Sequence, residues 1–392
     1  MQPNRMKNNP QRLYYIDWLR VLAMLSIFFF HADHFFDYYD WHVKNGERNI
    51  ISTIHISFFS QWMMPLFFVL SGAAIFYSLK FRSSSIFLWE RVKRVLIPLA
   101  LVGYFITSPP QMYFERLTHN RFEGSFWEFI PAYFQGVDMF GGNFPWHAFH
   151  LWYLVYLFVF SIVLLPLFRL RENQKPSVLS SLSRWFEGPW RLMLLVTPLI
   201  IINIFIDVND LGFMRGTGGW DLFSYLFILV YGYLFFCNEK ILETIKRIRS
   251  ISLILAIILS LTGLVIEFGI KPEISEKTPI LYLILSFIRC FRLLLWLIAI
   301  IGFGEKYLNF KSRFLGYANE AVLPFYILHQ FVLLLIGYWV VQWQINALVK
   351  YMLIASLSFI TIMGLYDIII KRFQVTRFLF GLKLYIPQIS NP

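Results

Sequence analysis

Apolar runs about 20 residues long recur from one end of this chain to the other, each closed by a short polar or basic segment. That spacing limits the fold more than any other feature, because a helix needs roughly 20 largely apolar residues to cross the hydrocarbon core. The candidate spans are 14–36, 56–79, 95–108, 150–168, 190–206, 220–237, 251–270, 280–303, 318–341 and 350–370. Lipid offers no partner to a backbone N–H or C=O, so spans of this length must be helices, and the expected class is an all-α, polytopic membrane protein. The third and fifth spans are short and are expected to extend further or to re-enter, which leaves the count at about ten. Pro65 and Pro324 fall inside spans, where neighbouring helices can satisfy the freed backbone groups. Composition agrees: 58% of the residues are hydrophobic and 15% charged, against about 45–50% and about 25% in soluble domains.

Lysine and arginine set the orientation. Of the 35 such residues, eight fall in alternate loops: Lys44, Arg48, Arg116, Arg121, Arg215, Lys271, Lys277 and Lys350. Arg20, Arg289 and Arg292 lie within spans, and all the others flank the opposite ends of the helices. The positive-inside rule then places both termini in the cytoplasm, within the cytoplasmic (inner) membrane. The net charge of +12 is spread over these flanks rather than gathered in one stripe, which argues against nucleic acid as a partner and leaves membrane lipids.

Other classes fall away on motifs. The two cysteines, Cys237 at a helix end and Cys290 in mid-span, make neither a disulfide framework nor a metal site. No Walker loop, dinucleotide fingerprint or His-Glu-x-x-His helix occurs, so no metal and no permanently bound cofactor is expected. The first apolar stretch carries Asp17 and Arg20 and lacks a small-residue cleavage site, so it reads as a retained helix rather than a signal peptide. No linker divides the chain, which is treated as one domain over 1–392. The long outer loop, 109–149, holds Pro109-Pro110 and Gly141-Gly142, and its stretch 125–134 is suited to lie flat on the interface. No convincing repeat relates the two halves, which weakens an inverted-repeat transporter.

Ionisable groups inside spans are costly and mark function or pairing. On the first span, Arg20 and His31 are eleven residues apart, which brings them within about 20° of azimuth and separates them by about 16 Å along the axis. Asp17 lies on the same side. Such a stripe must face an enclosed cavity rather than lipid. An interfacial Asp17–Arg20 ion pair with a satisfied core histidine accounts for the same pattern. Arg91 and Arg94 precede the third span, where the positive-inside rule also explains them. His150 opens the fourth span beside Trp152, and His329 sits near the middle of the ninth. Arg289 and Arg292 share a face of the eighth and are expected to pair with carboxylates or helix-end carbonyls. Trp41, Trp127 and Trp146 could stack on sugars, although an interfacial aromatic belt explains them as well.

Taken in order, these residues resemble the acyltransferase family 3 membrane proteins. The resemblance begins with Tyr15-Ile-Asp17-Trp-Leu-Arg20 followed by His31, since the family carries an arginine, ten intervening residues and a histidine on its first helix. It continues through Met64-Pro-Leu-Phe-Phe-Val-Leu-Ser-Gly72, Arg91-x-x-Arg94 with Pro98, His150-Leu-Trp152 and Phe325-Tyr-Ile-Leu-His329. Two of these segments are also similar to the branch that succinylates periplasmic glucans. The extracytoplasmic esterase-like domain of some relatives has no counterpart here. The resemblance implies ten helices and transfer of an acyl group from a cytoplasmic acyl-CoA (acetyl-CoA or succinyl-CoA) to a hydroxyl of an extracytoplasmic carbohydrate or a glycolipid. His31 is then the base, because neutral imidazole suits proton removal from an alcohol. Arg20, Arg91 and Arg94 would hold donor phosphates through their guanidinium forks, with Asp17 orienting Arg20. His150, His329 and Trp152 would position the acceptor or assist.

Two other classes use the same residues differently. A secondary transporter would employ the buried Asp, Arg and His groups without consuming acyl-CoA. A polysaccharide-assembly component without catalysis would tolerate loss of His31. The other large group of membrane O-acyltransferases pairs a histidine with an asparagine tens of residues away, a spacing that Asn319 and His329 do not reproduce.

Overall fold

The computed structural model describes residues 12–169, 178–205, 219–269 and 279–384. Several basic residues used to orient the chain (Arg5, Lys7, Arg171, Lys175, Arg215, Lys271 and Lys277) lie outside the described residues. The described residues are helical apart from loops and one isolated bridge, Val137 to Phe144.

Among the described residues, seven helices are long and apolar enough to cross a membrane: Tyr14–Asp33, Ile50–Phe81, Ser84–Thr118, Glu239–Ile266, Ile280–Leu308, Arg313–Val340 and Ala347–Ile370. The pair Val178–Trp185 and Pro189–Phe205, bent by 118°, passes the same test when taken together. Two shorter apolar helices, Phe149–Val163 and Leu222–Cys237, occupy the fourth and sixth expected stretches. The chain is a multi-pass membrane protein. The fifth span, expected to extend further or to re-enter, is preceded by this bend: Gly188 at φ +96° comes before Pro189, which starts the second arm.

The third span is longer than the stretch read from the sequence, one of the two outcomes its short length allowed, and the extension corrects the loop expected at 109–149. Its helix does not end at residue 108 but runs on to Thr118, through the π-helical turns Val92–Leu96 and Pro98–Thr107. Pro109 and Pro110, expected in a loop, sit where the π-helical stretch Pro98–Thr107 passes into the Ser108–Thr118 segment. The wider turns absorb the prolines, and the extension carries Glu115 and Arg116 over the end of the bundle.

Local chemistry fixes the other helix starts. Ser125 and Glu128 form a reciprocal capping box that opens Phe126–Tyr133. Asp221, Ser312 and Asn346 cap Leu222–Cys237, Arg313–Val340 and Ala347–Leu365. The first helix has no local cap; Asn309 Oδ1 accepts from the Tyr14 N–H at 3.0 Å and ties its start to the Pro279–Leu308 helix.

Burial separates centre from periphery. The Arg313–Val340 helix is 67% buried over its apolar window, whereas Glu239–Ile266 is 17% buried and offers its isoleucines and leucines to the surroundings. The first helix packs against Met63–Phe81, Pro279–Leu308 and Arg313–Val340, so a polar side chain on it meets protein. Met63–Phe81 and Leu222–Cys237 cross backbone to backbone. A Cβ on Gly72 would stand 2.1 Å from Leu229 O, and one on Gly232 would stand 2.1 Å from Val69 O. Small residues give membrane helices this close approach. Cys237 ends its helix and Cys290 is buried in mid-helix. Arg289 lies over the Trp220 ring at 4.6 Å, so its contact is an indole face rather than a carboxylate, and Arg292 lies against Gly263.

Candidate active site

The first helix presents one polar stripe to two cavities set end to end. The larger holds about 520 Å³ and is lined by His31, His34, Trp41, His42, Glu115 and His150, among others. The second holds about 300 Å³ and is lined by Arg20, Arg91, Arg94, Tyr153 and Asn319. Ile27, Met64 and Tyr326 line both. The azimuth expected for Arg20 and His31 therefore holds, but the two line separate chambers, which meet at a waist formed by the shared Ile27, Met64 and Tyr326.

Arg20 donates from Nη1 to Asp17 Oδ1 at 3.3 Å and to Asn319 Oδ1 at 3.2 Å. Asp17 also accepts from Arg12 at 2.6 and 3.0 Å, so it bridges two guanidinium groups. Arg91 packs over the Phe87 ring at 4.8 Å. The neighbouring Glu90 is engaged by Arg82 instead. No described carboxylate lies within ion-pair distance of Arg91 or Arg94. Arg20, Arg91 and Arg94 thus line a half-buried space with Asp17 as their close anionic neighbour, an arrangement suited to a multiply charged anion. Opposite them, the Ser71 and Tyr153 hydroxyls share a hydrogen bond of 2.5 Å.

At the wall of the larger cavity three imidazoles converge. The His31 ring lies 5.2 Å from that of His329 and 6.4 Å from that of His150, and the latter two are 4.7 Å apart. A carbonyl can only accept, and this settles two tautomers. His150 Nε2–H donates to the carbonyls of Tyr326 (3.0 Å) and Ile327 (3.3 Å), and His329 Nδ1–H donates to Tyr326 O at 2.6 Å. Each ring then keeps a bare lone pair, on His150 Nδ1 and His329 Nε2, and both atoms are buried without a partner. His31 Nδ1 is buried and unpartnered too. The Tyr326 hydroxyl closes the arrangement by donating to His150 O. His150 forms part of the wall, whereas His329 is fully buried behind it.

The remaining expected residues divide. Trp152 reaches the cavity wall, but its ring is packed against Phe68, Tyr156 and Tyr225. Trp41 lines the cavity and stacks on His34 at 5.3 Å and His31 at 6.1 Å. Trp127 is exposed on the Phe126–Tyr133 helix, and Trp146 packs against the core.

Sequence reasoning missed several groups that the fold brings to the same place. His34 stands one turn beyond His31, with Nδ1 2.6 Å from Asp37 Oδ2, and the helical spacing that found His31 points to it too. His42 Nδ1 lies 2.7 Å from Glu115 Oε2 at the cavity mouth, a pairing 73 residues apart in sequence that no local spacing announces. Tyr153 and Gln330 adjoin the expected Trp152 and His329 and complete the walls, as does Asn319, which the sequence named only for a spacing it does not reproduce.

Comparison with known proteins identifies the family. A model of the acyltransferase domain matches residues 13–369. Glucans biosynthesis protein C of Escherichia coli K12 is 25% identical over 349 residues, covering 83% of either chain, and the protein of the same name from strain O157:H7 is 24% identical over 351 residues with the same coverage. No solved structure matches. With the arginine and histidine of its first helix on one line of cavities, and the match running from that helix to residue 369, this chain is an acyltransferase and belongs to acyltransferase family 3.

Proposed function

We propose that this protein moves an acyl group, acetyl or succinyl, from cytoplasmic acyl-CoA to a hydroxyl of an extracytoplasmic or lipid-linked carbohydrate. In this reading the whole chain is one catalytic domain of the inner membrane. It crosses the bilayer ten times with both termini in the cytoplasm, the two short apolar helices and the bent pair completing the count. The observation that carries the reading is the meeting of the arginine-lined and histidine-lined cavities at one waist, with Ile27, Met64 and Tyr326 common to both. A donor held at the arginines by its phosphates can send its thioester along the first helix toward His31, past the residues that the two cavities share.

The chemistry follows from that placement. His31 removes the proton of the acceptor hydroxyl as its oxygen attacks the thioester carbonyl. The tetrahedral intermediate collapses with expulsion of the coenzyme A thiolate, to which the imidazolium returns the proton. His329 and His150, whose rings lie 5.2 and 6.4 Å from that of His31, each keep a buried, unpartnered nitrogen near the ring that carries charge in between. Asp17 and Asn319 hold the Arg20 guanidinium in position. Trp41, Glu115 and His42 border the side from which the acceptor enters. The Escherichia coli relatives are named for glucan biosynthesis, which supports a carbohydrate acceptor.

The test is direct. Membranes containing the protein, given radiolabelled acetyl-CoA or succinyl-CoA, are expected to label an extractable glycan, and His31→Ala membranes are not. Equal labelling by the variant would remove His31 from its role. Absence of labelling with every acyl-CoA, together with flux of a solute, would overturn the reading in favour of a carrier.

A further inference from the structure

Beyond Arg94 the line of cavities continues. A third space of about 520 Å³ is lined by Arg94, Asn319, Glu320, Arg377 and Lys383, and it shares Arg94, Asn319 and Leu323 with the arginine-lined cavity. Its far wall is the segment that follows the last apolar helix, a stretch whose sequence shows only a basic flank. That segment is built into place. The Arg377 side chain, 4% exposed, pairs with Glu320 Oε1 at 2.7 Å and donates to the carbonyls of Lys383 at 2.7 Å and Lys371 at 3.1 Å. The turn is closed by Gly381 at φ +69°, so near the third helix that a Cβ would stand 3.0 Å from Arg94 O and from Leu323 Cδ2. A free tail would need neither a buried guanidinium nor a left-handed glycine against Arg94.

We infer that this C-terminal turn forms the subsite for the phosphorylated nucleotide of the acyl-CoA donor, with Lys383 and Arg94 on its phosphates and Arg377 holding the wall. The inference rests on the function proposed above and extends it to residues outside the first three helices. Three spaces in series then receive the three parts of one molecule: nucleotide, extended arm and thioester. The volume is within the range of about 300–1,000 Å³ usual for small-molecule sites. The one carboxylate on the wall, Glu320, is neutralised by Arg377, which leaves Lys383 and Arg94 to face an anion. The shared chemistry is a phosphate monoester or diester, so an anionic lipid headgroup is the competing source.

The experiment uses the full-length protein in nanodiscs of zwitterionic lipid. Lys383 is exposed, so Lys383→Glu leaves packing intact. It is expected to raise KM for intact acyl-CoA about tenfold at unchanged kcat, and to leave KM for the same acyl group on pantetheine, which lacks the nucleotide, unaltered. Gly381→Val, which pushes the turn off Arg94, should act in the same direction. Adenosine 3′,5′-bisphosphate should compete with the donor for the wild type and poorly for Lys383→Glu. An equal rise with both donors, or an effect confined to discs containing phosphatidylglycerol, would give the site to lipid and overturn the inference. Unchanged KM with active transfer would overturn it too, while leaving the acyl-transfer reading in place. Absent transfer accompanied by Lys383-dependent binding of adenosine 3′,5′-bisphosphate would do the reverse.

Discussion

Replacing Arg91 and Arg94 together tests whether the positive cavity binds the donor or merely obeys membrane topology. Both guanidinium groups face the same space, and neither has a described carboxylate within ion-pair reach. A charge-assisted hydrogen bond to phosphate contributes about 1.5–3 kcal/mol. At about 1.4 kcal/mol per decade, one arginine is then worth roughly 10- to 100-fold in donor affinity. The two lie one helical turn apart and repel, so removing one relieves the other and the effects fall short of additive. The double alanine variant should raise KM for acyl-CoA about 100- to 1,000-fold, with kcat at saturating donor within about threefold of wild type. Arg91→Ala also gives up the contact over Phe87, worth about 0.5–1 kcal/mol, so thermal unfolding must be followed alongside. Arg91→Lys separates charge from fork geometry and should recover only part of the loss. Steady-state transfer of radiolabel in nanodiscs reads both constants. If saturated turnover collapses while KM stays put, these residues act in the chemical step. If neither constant moves, they serve orientation alone and the donor is held elsewhere.

Two further perturbations probe the waist and the loop over the cavity. Met64→Trp enlarges a buried wall residue shared by both chambers; transfer should fall about 100-fold while coenzyme A still binds at the arginines, as calorimetry would show. Unimpaired transfer would mean that the thioester takes another route. On the loop between 119 and 147, two histidines titrate in opposite senses. Burial pushes the His147 imidazole below its usual 6.5, so the stability it contributes is present above that pH and is lost on acidification. Burial acts the same way on His119, but the Glu115 carbonyl and the Glu115 and Asp40 carboxylates outweigh it and raise the value, so its contribution is present in acid and is lost as pH rises. Hydrogen-exchange protection of this loop, corrected for intrinsic rates, should peak near pH 6.5. His147→Gln should flatten the acid limb and His119→Gln the alkaline one; a wild-type profile without a maximum would refute the assignment.

The sequence made the fold legible wherever one helix carried the information. Lipid length and helical azimuth placed Arg20 and His31 on one side of the first helix, because both rules act within a single element. They were less informative where elements meet. The convergence of His31, His150 and His329 depends on Tyr326, whose carbonyl accepts from two rings contributed by different helices, and periodicity says nothing of that. The short third stretch pointed to extension or re-entry without choosing between them, because Pro109-Pro110 signals a break in sequence although the helix passes through it. Similarly, the pairing of His42 with Glu115 follows from that extension and could not be foreseen without it.

If the donor phosphates sit at the arginines and the acyl transfer occurs at the histidines, as proposed, the order of the chambers gives a reason to separate the charges in this way. Phosphates demand guanidinium groups and tolerate water, whereas a thioester under attack by a sugar hydroxyl must be shielded from water, which would otherwise take the acyl group. The waist of Ile27, Met64 and Tyr326 supplies that division: apolar side chains and one ring stand between the arginines and the imidazoles, and all three residues are buried. Placing Arg20 and His31 on one rigid helix fixes their separation at about 16 Å, eleven residues at about 1.5 Å each. The reach from anion to base is then set by backbone geometry, not by the loops at either end. A donor too short to span that distance would bind without reacting, and one held only at the histidines would lack its anchor.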